Sequence, residues 1–62
     1  MQLQVTSSTN LELLVEDLRA VLLPQEYEVH EADLRVSIED NPADAFFWQI
    51  EDIASQYNAE VT

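Results

Sequence analysis

Residues 25–39 read QEYEVHEADLRVSIE, and apolar and polar side chains alternate twice in this stretch. In the first run, Tyr27 and Val29 stand between acidic residues and a histidine. The second run, from Leu34 to Ile38, has an apolar residue at every other position. A period of two is typical of a strand with one buried face, so the stretch predicts the two strands of a β-hairpin.

The loop of this hairpin is predicted to be His30–Asp33. The chain contains no glycine, which tight two-residue hairpin turns favour, so a four-residue loop is the better interpretation. The cross-strand pairs that follow are Val29 with Leu34, Tyr27 with Val36, and Glu28 with Arg35. Apolar side chains then share the inner face of the hairpin, and the opposite charges of Glu28 and Arg35 share its outer face.

The residues before the hairpin predict one strand and one helix. Gln2–Thr6 alternates polar and apolar residues, as a half-buried strand does. Thr9 and Glu12 have the spacing of a capping box, so a helix is expected to begin there, and Pro24 is expected to end it. The apolar stripe of this helix is predicted to be Leu11, Leu14, Val15, Leu18, Val21 and Leu22.

The residues after the hairpin predict a second helix. Asn41 is a suitable N-cap, Pro42 suits the first helical position, and Asp44 is favoured by the helix dipole in the first turn. Asn58 tolerates the left-handed conformation that stops a helix. The last residues, Ala59–Thr62, are expected either to form a short fourth strand or to fray. The predicted buried face is Ala43, Phe46, Phe47, Ile50, Ile53, Ala54 and Tyr57.

The order of these elements is that of a split βαβ, ferredoxin-like domain. We therefore expect a small α+β fold, βαββα(β), in a single compact domain that spans residues 1–62. Right-handed crossovers would pack both helices on one face of an antiparallel sheet. If the fourth strand does not form, the same layout remains with a three-stranded sheet. The opposite face of the sheet would carry polar residues and face solvent.

Charge is the strongest feature of the composition. Of 62 residues, 13 are acidic and two are arginine, with no lysine, which gives a formal net charge of −11. Such a field repels nucleic acids and anionic membranes and attracts basic surfaces, so we expect no direct nucleic-acid binding and no membrane partner. Leu, Ile, Val and Phe still account for 19 residues, which is enough for a folded chain.

The apolar runs and the absence of cysteine narrow the class of protein further. The longest apolar runs, Ala20–Leu23 and Ala45–Trp48, fall far short of the roughly 20 residues of a membrane helix. No basic and then apolar leader follows Met1, so a cytoplasmic location is expected. There is no cysteine, so neither a disulfide nor a thiolate metal site is expected.

Catalytic and metal sites are not predicted. The only histidine, His30, falls in the predicted loop, and the predicted register does not place it opposite Ser37, the nearest hydroxyl. Without cysteine, lysine or glycine, the chain lacks most nucleophile and base pairings and any glycine-rich phosphate loop. The oxygen-rich run Glu39–Asn41 lacks the glycine and the spacing of an EF-hand loop. We therefore expect a protein that is not an enzyme and that holds no metal ion and no cofactor.

Trp48 is the strongest functional candidate. At about 100° per residue, it projects almost opposite the apolar stripe of the second helix, so it is expected to face outward. Tryptophan is enriched at binding hot spots because it combines a large rigid surface with an N–H donor. The alternative is an ordinary surface aromatic that lies back on a loop. The predicted partner-binding residues are Trp48, Asp44, Glu51, Asp52 and Ser55, with Glu12 and Glu16 of the first helix extending the patch.

These features predict a non-catalytic acidic interaction module that binds a basic protein surface through the outer face of the second helix. The first alternative is a nucleic-acid mimic of the phage-inhibitor or antitoxin type, whose carboxylates imitate phosphates and occupy a DNA- or RNA-binding channel. The second alternative is a small structural homodimer. Like charges oppose the approach of two copies, so a monomer or a weak homodimer is expected.

Overall fold

Four strands and three helices form a small α+β domain in the computed structural model, which describes all residues from 1 to 62. Short 3₁₀ turns at Pro24–Glu26 and Glu31–Asp33 precede the second and third strands. In chain order the elements are β1 (Gln2–Gln4), α1 (Ser8–Leu18), β2 (Tyr27–His30), β3 (Arg35–Ile38), α2 (Asp40–Ala45), α3 (Phe47–Gln56) and β4 (Glu60–Val61).

The strands form one antiparallel sheet in the order β2-β3-β1-β4. At its centre Leu3 of β1 lies opposite Val36 of β3, and both are fully buried. The last residues form the fourth strand and do not fray, because Val61 pairs with Leu3 and the Thr62 N–H donates to the Gln2 carbonyl at 2.9 Å.

The predicted register of the hairpin is wrong by two residues. Val29 pairs with Val36 instead of Leu34, and the loop is Glu31–Leu34. Leu34 takes the left-handed conformation, with φ of 53°, and its N–H donates to the Glu31 carbonyl at 3.2 Å. Neither glycine nor asparagine marks this position, so the sequence does not signal the turn. A shift of two residues leaves every side chain on its predicted face of the sheet.

The first helix begins and ends earlier than predicted. Ser7, not Thr9, is the N-cap, and its hydroxyl accepts from a first-turn amide at 3.1 Å. The helix ends at Leu18, well before Pro24, and a series of turns follows. Leu22 reaches the core from these turns and is 3% exposed, so the predicted apolar stripe is correct there although the helix is shorter.

The predicted second helix is two helices that meet at Phe46. This residue has φ of −117° and ψ of 28°, outside the α-helical region. The N-cap of α2 is Glu39 and not Asn41, which places Pro42 inside the first turn. A proline is tolerated there because the first amides of a helix have no helical acceptor. Asn58 stops α3 in the left-handed conformation, with φ of 54°, as predicted.

The core lies between the helices and one face of the sheet. No polar or charged residue is buried in it. The opposite face carries the polar residues of the strands, as predicted. The core consists of Leu3, Val5, Leu11, Leu14, Leu18, Leu22, Val36, Ile38, Ala43, Ile50 and Ala54.

Candidate interaction surface

Trp48 lies in the first turn of α3 and is 75% exposed, which confirms that it faces outward. The opposite side of the helix is covered, since Ile50 and Ala54 are buried. Tyr57, nine residues further along, projects about 180° from Trp48 and contacts α1. Trp48 therefore points away from both α1 and the core.

Phe47 lies beside Trp48 and not in the core as predicted, because it is 36% exposed. Its ring centroid is 5.4 Å from that of Trp48, and the ring planes meet at 81°. This edge-to-face geometry is one that aromatic rings favour. The contact restricts the indole on the surface, so less side-chain entropy remains to be lost on binding. The sequence does carry a signal for this exposure, because Phe47 lies at the margin of the predicted apolar stripe.

A shallow, open depression beside Trp48 brings together four of the predicted residues. Trp48, Glu51, Asp52 and Ser55 line it, and all four are exposed. Gln49 also lines it and was missed from the sequence; its amide adds a donor and an acceptor. We call these five residues the Trp48 surface.

Asp44, also predicted to bind the partner, is exposed on α2 but does not line this depression.

Glu12 and Glu16 lie elsewhere. The side of α1 that meets α3 carries Asn10, whose side chain donates to the Tyr57 carbonyl at 3.4 Å, and Asp17, which accepts from the Tyr57 hydroxyl. Glu12 and Glu16 instead line a groove of α1 together with Val29 and Glu31, away from the depression beside Trp48. The structure therefore does not bring them together with Trp48.

Negative charge around the Trp48 surface is not neutralised. The only ion pair joins Arg35 to Asp33 at 3.6 Å, and it is partly exposed to solvent. No lysine, arginine or histidine occurs after Arg35, so α2, α3 and β4 carry acidic residues and no basic ones. Glu51 and Asp52 therefore lie beside the exposed indole without a cationic partner.

His30 is not a loop residue as expected but the last residue of β2. Its Nε2 lies 3.1 Å from the Ser37 Oγ, and this hydroxyl donates to the Gln2 Oε1 at 2.9 Å. The tautomer of His30 sets which of these two atoms donates to the other. The three side chains tie β1, β2 and β3 together on the outer face of the sheet.

The environment of Tyr57 shifts its pKa. Its hydroxyl donates to the Asp17 Oδ2 at 2.6 Å. This hydrogen bond, with burial and the negative charges of Asp17 and Glu16 as smaller causes, raises the pKa of Tyr57 above its ordinary value of 10.0. The residue fastens α3 to α1 and lies on the side of α3 away from Trp48.

No group of three or more His, Asp or Glu side chains is arranged to hold a metal ion. None of the helices has the length and apolar character that crossing a bilayer requires. In comparisons with known proteins, no family model, no curated protein and no solved structure matches the chain.

Proposed function

We propose that this protein is a non-catalytic interaction module that binds a basic protein surface through the Trp48 surface. The observation that carries the proposal is an indole 75% exposed to water, set among carboxylates that have no cationic partner. An indole so exposed contributes little to the fold. Burial by a partner would therefore be a new source of stabilisation, on the order of 25 cal/mol for each Å² of apolar surface removed from water.

Charge and tryptophan would act at different stages of binding. The net charge of −11 would accelerate encounter with a basic partner, and this effect would fall as salt increases. Glu51 and Asp52 at the rim would remain close to water, where charges change the association rate more than the lifetime of a complex. Trp48 would be enclosed after contact and would set the dissociation rate.

The strand order gives the proposal further support. The strand order β2-β3-β1-β4, with helices following β1 and β3, supports the ferredoxin-like arrangement as the finer description of the fold. In that arrangement α3 lies on the surface, which leaves its outer side free for a partner.

Affinity capture from a lysate of the source cells tests the proposal. The immobilised chain is compared with Trp48→Ala, and bound proteins are eluted by increasing salt. Leu23→Ala is the matched control, because Leu23 is an apolar residue 57% exposed outside α3. We expect a basic protein that is retained by the wild type and by Leu23→Ala and is lost from Trp48→Ala. Equal retention by all three chains would contradict the proposal.

The unneutralised charge also favours a second candidate function, the nucleic-acid mimic. Twelve of the 13 carboxylates have no ion-pair partner, as a surface that imitates phosphates requires. A mimic would compete with DNA or RNA for the captured protein, and its affinity would fall as steeply with salt as that of the nucleic acid. Competition by added DNA and RNA therefore separates the two functions.

A further inference from the structure

The outer edge of β2 is open and forms a second candidate binding surface. β2 is the outermost strand on one side of the sheet, and its backbone on that side pairs with no other strand. The other outer strand, β4, has only two residues, whereas β2 has four. Exposed strand edges are templates on which another extended chain can pair.

The hydrogen-bonding pattern identifies the free backbone groups. Residues of an antiparallel pair alternate between those bonded across the pair and those that point away. Glu28 lies opposite Ser37, and the Glu39 N–H donates to the Glu26 carbonyl at 2.9 Å, so even-numbered residues of β2 bond to β3. The N–H and C=O groups of Tyr27 and Val29 therefore point to the open edge.

A groove with an apolar floor and an acidic rim lies between α1 and this edge. Leu11, Val15 and Val29 form the floor, and Glu12, Glu16 and Glu31 form the rim. Val29 and Tyr27 are only half-buried although they face the helix side of the sheet, whereas Val36 in the next strand is fully covered. The helices thus leave the β2 edge incompletely covered.

We propose that this edge binds an extended basic segment of another protein, which adds to the sheet as a fifth strand antiparallel to β2. The apolar side chains of the segment would enter the groove, its lysine or arginine side chains would lie beside Glu28 on the outer face, and the rim carboxylates would attract the same positive charges at longer range. Charge complementarity selects this occupant, because carboxylates flank the free backbone on both faces of the sheet. The same carboxylates repel a second copy of this chain.

Arg19 provides an internal control for the proposed binding of a basic segment. It lines the same groove and has no carboxylate within ion-pair distance. A basic segment would meet this one like charge in an otherwise acidic rim. Removal of the Arg19 charge is therefore expected to strengthen binding, whereas removal of the Glu12 and Glu16 charges weakens it.

A synthetic peptide of about eight alternating valine and lysine residues, acetylated and amidated, is the probe. Binding is measured by titration into the isotope-labelled chain, followed by hydrogen exchange of backbone amides. We expect slower exchange of the Tyr27 and Val29 amides, binding about ten-fold weaker in a Glu12→Gln, Glu16→Gln double variant, and tighter binding in Arg19→Ala. A peptide of alternating valine and glutamate should not bind.

N-methylated peptides test strand pairing without changing the protein. In an antiparallel addition, the valine N–H groups of the peptide face β2 and the lysine N–H groups face solvent. Methylation of the valine amides should weaken binding about ten-fold or more, and methylation of the lysine amides should not. The reverse selectivity would indicate parallel pairing and would overturn the proposed antiparallel orientation. Equal binding by both methylated peptides would overturn the proposal.

Trp48→Ala separates this proposal from the function assigned to the Trp48 surface. The variant should bind the valine–lysine peptide as the wild type does. Loss of peptide binding in Trp48→Ala would show that the peptide occupies α3 and would overturn the edge proposal. Protection of the Tyr27 and Val29 amides that grows with protein concentration, without peptide, would identify a second copy as the occupant and would overturn it as well.

Discussion

The hydroxyl of Tyr57 donates a 2.6 Å hydrogen bond to the carboxylate of Asp17 and so joins the end of α3 to α1. This contact lies on the same side of α3 as the buried residues Ile50 and Ala54. Because Trp48 projects about 180° from Tyr57, the same contact that holds α3 on the core turns the indole to water. The exposure of Trp48 is thus a consequence of how α3 is held.

The first prediction concerns stability at high pH. The raised pKa of Tyr57 means that the folded state keeps its phenolic proton to higher pH than the unfolded state. The contribution of this residue is therefore complete below about pH 10 and is lost as pH rises through the raised pKa. Urea unfolding from about pH 8 to about pH 11 should show a steep loss of stability in the wild type and a shallower one in Tyr57→Phe.

Tyr27→Phe is the control for this experiment, because the Tyr27 hydroxyl makes no hydrogen bond to a carboxylate. Tyr27→Phe should lose stability at high pH as steeply as the wild type does. Parallel pH profiles for the wild type and Tyr57→Phe would show that the hydrogen bond to Asp17 does not form in solution.

The second prediction contrasts a buried residue with an exposed one on α3. Ile50 is fully buried, so Ile50→Val should lower the free energy of unfolding by about 0.5–1.5 kcal/mol. Trp48→Ala, although it removes far more atoms, should change it by no more than about 0.5 kcal/mol. Urea midpoints of the two variants check this. A larger loss in Trp48→Ala than in Ile50→Val would mean that the indole is part of the core.

The third prediction concerns salt. Only Asp33 has a cationic partner, so no ion pair compensates the other 12 acidic side chains of the folded chain. Salt screens this repulsion, with a Debye length of about 8 Å at physiological ionic strength. The melting temperature should therefore rise with added sodium chloride. A melting temperature independent of salt would show that the carboxylates do not destabilise the folded state.

The fourth prediction concerns the stop of α3. Asn58 has a φ of 54°, a conformation that costs about 1–2 kcal/mol for residues with a β-carbon other than asparagine or aspartate. Asn58→Ala should therefore lower the melting temperature, and Asn58→Gly should maintain or raise it. Equal melting temperatures for the alanine and glycine variants would contradict the left-handed assignment.

Short-range periodicity predicted much of this fold, whereas local backbone irregularities did not follow from it. Alternation identified β1 and the hairpin, and the stripe through Leu14 and Leu18 identified the buried side of α1. The hairpin register depends on a left-handed Leu34, a residue type that rarely takes this conformation. The break at Phe46 lies within a continuous helical pattern. Neither residue differs in type from those that continue a regular element.

The candidate site was predictable in part for the same reason. The direction of Trp48 follows from helical periodicity alone, and so does its proximity to Glu51, Asp52 and Ser55. The separation of Glu12 and Glu16 from this group depends on which side of α1 meets α3. That side is set by the contacts of Tyr57, which are distant in sequence and carry no local signal.

The dissociation rate of the captured basic protein from Trp48→Ala, compared with that from the wild type in surface plasmon resonance, tests the central claim most directly. Burial of Trp48 predicts dissociation about thirty-fold faster in Trp48→Ala, the effect of losing a hot-spot residue. Glu51→Gln and Asp52→Asn should mainly slow association, and Leu23→Ala should match the wild type. A wild-type dissociation rate in Trp48→Ala would contradict the assignment of Trp48 as the docking point.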